Sequence, residues 1–137
     1  MKPIHILCLA AICGGVAVGL GAFGAHALKA LLSAYSLDIW NKGVSYQFYH
    51  TFALLAAALL GLQAPQVRQY VQAGYFFVGG IACFSGSLYA LTLRDVFGAD
   101  VLPPMFGIIT PIGGVLFMVG WALLLWGAIV QARQQAA

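Results

Sequence analysis

Leu20-Gly21-Ala22-Phe23-Gly24-Ala25-His26 decides the fold, because here a long apolar run ends at a histidine. Upstream, residues 4–25 carry no permanent charge, and that run is long enough to cross a bilayer core. It is also rich in small residues: Gly14, Gly15, Gly19, Gly21 and Gly24 would weaken a solvated helix. In lipid, small residues let a neighbouring helix approach, so Gly15-xxx-Gly19 and Ala17-xxx-Gly21-xxx-Ala25 read as packing seams. His26 then falls where the packed helix reaches the interface.

Working outward, three further apolar segments emerge, giving spans at residues 4–25, 44–63, 70–93 and 107–130, none with Lys, Arg, Asp or Glu. Backbone groups in lipid must be satisfied within the segment, so these are helices; a barrel would need many short alternating strands. Composition agrees. The 137-residue chain is 63% hydrophobic and 7% charged, whereas a soluble domain needs about 25% charged residues to cover its surface. The sequence therefore predicts an all-α integral membrane protein: one domain, 1–137, folded as an antiparallel four-helix transmembrane bundle. Lys2 ahead of an apolar run resembles a secretory signal, but the run is long for one and reads as a retained first helix.

Punctuation refines the spans. After His26, residues 27–32 continue helix one or form a short interfacial helix. Ser36, with Asp38 behind it, reads as the N-cap of helix two, which starts near Leu37 and is anchored at the interface by Trp40, Tyr46 and Tyr49. Pro65 ends that helix, and the short turn after it forces a hairpin. Helix three carries a second small-residue seam at Ala82-xxx-Gly86 and ends at Arg94-Asp95. Pro103-Pro104 blocks helix in the next connection, and Pro111 is tolerated in the first turn of helix four.

Charge excludes some partners and leaves sidedness almost open. A net +3 from nine charged side chains is too sparse for nucleic acid. Lys2, Arg68 and Arg133 lie on the side of the termini, and Lys29, Lys42 and Arg94 on the other, a tie under the positive-inside rule. All three acids lie away from the termini, which tilts the termini toward the cytoplasm. Cys8, Cys13 and Cys83 fall in apolar runs without a CxxC pair and read as small hydrophobes.

Alternating spans bring particular ends together. His26, Gln47, His50, Ser85, Ser87, Tyr89, Arg94, Asp95 and Thr110 should share one half of the bundle. At 1.5 Å per residue, His50 lies roughly 9 Å inside helix two and Ser85 roughly 12 Å inside helix three. Polar groups at such depth face the interior, where the leading reading is helix packing: His50 and the serines bonding to backbone carbonyls, Arg94-Asp95 forming an interfacial ion pair. A sharper reading makes the cluster around His26, His50 and Ser85 the polar site of a small-solute or proton transporter, which four short helices could build only as an oligomer. No Ser-His-Asp set, Glu-x-x-His pair, P-loop or dinucleotide fingerprint occurs, so no enzyme, cofactor or metal is expected.

Four motifs then point to a family. Gly21-Ala22-Phe23-Gly24-Ala25-His26, Tyr46-Gln47-Phe48-Tyr49-His50-Thr51, Phe84-Ser85-Gly86-Ser87-Leu88-Tyr89, and Thr110-Pro111-Ile112-Gly113-Gly114 with Gly120-Trp121, in that order, resemble domain of unknown function 423. That family includes eukaryotic transmembrane protein 256. The resemblance covers nearly the whole chain and implies a bacterial inner-membrane protein with four spans and no assigned activity or catalytic residues. One departure is the connection at 94–106, longer and more acidic than the family pattern. The expected role is structural or accessory, with the lipid bilayer, a homo-oligomer or a larger membrane complex as partner.

Overall fold

A computed structural model describes residues 2–98 and 106–136. The order is α1 (Pro3–His26), a single 3-10 turn at Leu28–Ala30, α2 (Ala34–Gln63), α3 (Arg68–Gly80), a π turn at Ile81–Ser85, α4 (Gly86–Phe97) and α5 (Phe106–Gln135). The protein is an all-α helical bundle. Among the described residues, three stretches are long and apolar enough to cross a membrane: Pro3–Ala30, Arg68–Phe97 and Gly107–Gln135. The 30-residue α2 is long enough but falls short in hydropathy. It is the helix that carries Gln47, His50 and Thr51, and it turns all three inward.

Neighbouring helices run antiparallel. Along α1 and α2, Gly14 faces Thr51, Gly21 faces Val44, Gly24 faces Trp40, and Pro3 meets Gly61. On the other flank Gly113 faces Phe84, Gly120 faces Phe77 and Gly127 faces Tyr70, so α5 runs back along α3 and α4. Among the described residues α1 and α5 have no Cα atoms within 8 Å; α2 and α3–α4 form the middle, with α1 and α5 on the flanks. Ile6, Leu54, Ala57, Ala73, Phe77 and Phe117 belong to one buried apolar cluster.

Several boundaries differ from the sequence reading. The N-cap of α2 is Ser33, whose hydroxyl accepts from the Ser36 N–H at 3.1 Å, so the helix begins before Leu37. Helix one does not continue past His26 beyond the 3-10 turn. Pro111 sits in the second turn of α5 rather than the first, leaving the Gly107 carbonyl without its usual N–H donor. The π turn had no counterpart in the sequence reading. Pro103-Pro104 and Asp100 lie outside the described residues.

Of the small-residue seams, Ala17 is buried and Gly21 faces Val44 on α2, Ala25 is exposed, and the others move. A Cβ added at Gly15, Gly19 or Gly86 would meet nothing within 4 Å, and Ala82 is exposed. The close approaches fall one face round, at Gly24, where an added Cβ would lie 2.6 Å from the Trp40 indole nitrogen, and at Gly43, 2.8 Å from the Tyr89 ring. At these two positions tight contact joins glycine to a large ring, not small residue to small residue. The ring fills the space a side chain would have taken.

Candidate functional site

Gln47 is the centre of the polar half. Its Nε2 donates to the Cys13 carbonyl at 2.8 Å, and its Oε1 accepts from the Tyr89 hydroxyl at 2.9 Å. A carbonyl only accepts, so the amide can be oriented one way: nitrogen toward α1, oxygen toward α4. One side chain on α2 therefore ties three helices. Two turns earlier, Trp40 donates its indole N–H to the Leu20 carbonyl at 2.9 Å and packs its ring against Tyr89, centroids 4.7 Å apart. Trp40 is 1% exposed, so it is a core residue and not the interfacial anchor expected of it. Tyr46 and Tyr49 do face outward.

The remaining candidates separate into three environments. Ser87 donates to its own helix at Phe84 O (2.9 Å) and shares a hydrogen bond with Thr110 (2.6 Å), joining α4 to α5. His50 is buried, and its Nδ1–H donates to the Tyr46 carbonyl at 2.8 Å, since a carbonyl can only accept. The imidazole lies flat on Phe117, centroids 3.4 Å apart and planes 6° from parallel. Ser85 closes the π turn, is fully buried, and its hydroxyl has no partner. Ser85 and His50 both face the interior, one beside Phe84 and the other against Phe77 and Phe117.

At the aqueous margin the grouping loosens. His26 is exposed at the end of α1, with no hydrogen bond or ring contact among the described residues. Asp95 accepts a hydrogen bond from Ser36, which in turn accepts from Ser33 at 3.0 Å. It makes no ion pair with Arg94; the one salt bridge among the described residues is Lys42–Asp38, an exposed i,i+4 pair. Asp95 thus pins the capping serines of α2 to the end of α4 instead of pairing within its own helix.

Sequence reasoning missed two contributors. Thr51 is buried, with an unpartnered hydroxyl, on the α1-facing side of α2 one turn from Gln47. Cys13 contributes through its backbone carbonyl, for which side-chain identity gives no signal. Among the described residues no group of three or more His, Cys, Asp or Glu is placed to hold a metal ion.

Comparison with known proteins places this arrangement. The family model for "Protein of unknown function (DUF423)" matches residues 20–114. The chain is 44% identical to UPF0382 membrane protein SSP2132 of Staphylococcus saprophyticus over 119 residues, covering 87% of this chain and 92% of the relative. It is 37% identical to UPF0382 membrane protein YwdK of Bacillus subtilis over 121 residues, 88% and 93% of the two chains. With UPF0382 inner membrane protein YgdD of Escherichia coli K12 it shares 39% identity over 134 residues, 98% of this chain and 96% of the relative. No solved structure matches. The family description attaches no reaction to its members. The matched segment holds Gln47, Tyr89, Ser87 and Thr110, the relatives align along most of the chain, and the chain belongs to the DUF423 family of small membrane proteins.

Proposed function

We propose that all four helices span the inner membrane as an antiparallel bundle, with both termini in the cytoplasm, and that the protein is a structural or accessory membrane component without chemistry of its own. The observation that carries this reading is the use of the intramembrane polar groups. Gln47, Tyr89, Trp40, Ser87 and Thr110 spend their hydrogen bonds tying one helix to another. In lipid, where apolar burial does not drive helices together, such bonds and close packing hold a bundle. The low hydropathy of α2 follows from the same use, since its polar residues are turned away from lipid. The name of the Escherichia coli relative supports the inner membrane as location.

Two measurements test this. In a variant without native cysteines, single cysteines at Asn41 and Gln63 should be labelled by impermeant reagent from opposite sides of the membrane. Labelling from one side would remove α2 as a span. In proteoliposomes the purified protein should give no solute or proton flux above empty vesicles. Flux that disappears with His50→Leu would replace the accessory role with the transporter reading.

A further inference from the structure

The termini end of the bundle has a different chemistry. Lys2, Pro3, Pro65, Arg68, Val71 and Gln72 line a concavity of about 400 Å³ between the start of α1 and the turn joining α2 to α3. Two of the six are cations, none is an acid, and neither cation makes an ion pair among the described residues. The imbalance extends to the whole end. Lys2, Arg68 and Arg133 belong to it with no Asp or Glu among the described residues, whereas Lys29, Lys42 and Arg94 stand with Asp38 and Asp95 toward the opposite end.

Backbone polarity has the same sign. The 24-residue α1 and the 13-residue α3 both begin at this cavity, and neither N-terminus is capped by a side chain. Pro3 has no N–H, and the His5 and Tyr70 N–H groups go to the Lys2 and Val67 carbonyls, but the positive ends of two helix dipoles favour an anion there. The lining is amphiphilic, with Pro3, Pro65 and Val71 beside the cations. The cavity lies at the start of two stretches fit to cross the membrane, Pro3–Ala30 and Arg68–Phe97, and with these spanning as proposed above it opens at headgroup depth. We propose that this cavity binds the phosphate headgroup of an anionic phospholipid, held by Lys2 and Arg68, with its glycerol region against the prolines and Val71.

Binding to the full-length protein in mild detergent is read by native mass spectrometry, with phosphatidylglycerol, phosphatidylcholine and inorganic phosphate as separate probes. Phosphatidylglycerol should bind in preference to phosphatidylcholine. Each of Lys2→Gln and Arg68→Gln should weaken it roughly fivefold and the pair about 30-fold, from about one unit of surface-charge attraction apiece. Arg68→Lys should retain most of the affinity. Lys29→Gln, which removes an exposed cation from the opposite end, should change nothing. Both target residues are exposed or rim positions, so the variants should fold. Unchanged phosphatidylglycerol binding in the double variant overturns the site, as does an equal loss in Lys29→Gln. Inorganic phosphate binding as tightly as the lipid overturns the lipid as its occupant.

Discussion

The two ends of this bundle are built by different means. Toward the α1–α2 turn, helices are joined by directed bonds: Trp40 to Leu20, Gln47 to Cys13, Tyr89 to Gln47, Ser36 to Asp95, Ser87 to Thr110. Toward the termini, Tyr70 bonds to Gln131 across two helices at 2.6 Å. Packing takes over there, with Gly74 against Ile6, Gly120 against Phe77, Gly127 against Tyr70, and alanines 53, 57, 58 and 73 filling the centre. A hydrogen bond fixes which residue faces which, whereas apolar surfaces in lipid can slide. The polar end sets the register, and the packed end holds helices close once the register is set.

The largest effects should come where glycine admits another helix. A Cβ at Gly113 would run into the Phe84 backbone, which cannot rotate away. Gly113→Leu should therefore destabilise the bundle by about 3 kcal/mol or prevent its assembly, read as the loss of a cooperative thermal transition in detergent. Gly24→Ala should cost about 1–2 kcal/mol, because it displaces the Trp40 indole from the Leu20 carbonyl. The same substitution nine residues earlier, at Gly15, should be neutral or stabilise by up to about 1 kcal/mol, since its added methyl meets nothing. A loss at Gly15 as large as at Gly24 would mean that the outer face of α1 is covered by another chain. Smaller still, Ser87→Ala should cost about 0.6 kcal/mol, a typical interhelical bond within a membrane, because Thr110 loses its partner while the helix keeps its backbone.

The same contrast explains what the sequence revealed. Apolar runs without charge disclosed the helices, and alternation of direction gathered Gln47, Ser87 and Thr110 into one half, because length and topology follow from the bilayer. The choice of seam did not follow. On α1, Gly21 and Gly24 face α2 while Gly15 and Gly19 meet nothing, yet Ala17-xxx-Gly21 and Gly15-xxx-Gly19 both satisfy a small-xxx-small reading. Only the aromatic on the opposing helix decides between them, and spacing within one helix carries no information about that ring. The cap of α2 was ambiguous for a local reason: Ser33 and Ser36 are both acceptable caps, and Ser36 is drawn away by Asp95, fifty-nine residues on. The π turn ending at Ser85 leaves no mark in composition, since it differs from α-helix only in which carbonyl each N–H selects.

Gln47 is where the account is most exposed, because one amide is held to join α1, α2 and α4. The direct measurement is a double-mutant cycle between Gln47→Leu and Tyr89→Phe, with unfolding followed in mild detergent. Tyr89→Phe removes only the hydroxyl and keeps the ring against Trp40 and Gly43. The account predicts a coupling of about 0.6–1.7 kcal/mol, the range of interhelical hydrogen bonds in membrane bundles, with Gln47→Leu alone costing more because it also frees the Cys13 carbonyl. Strictly additive losses, with no coupling between the two positions, would contradict it.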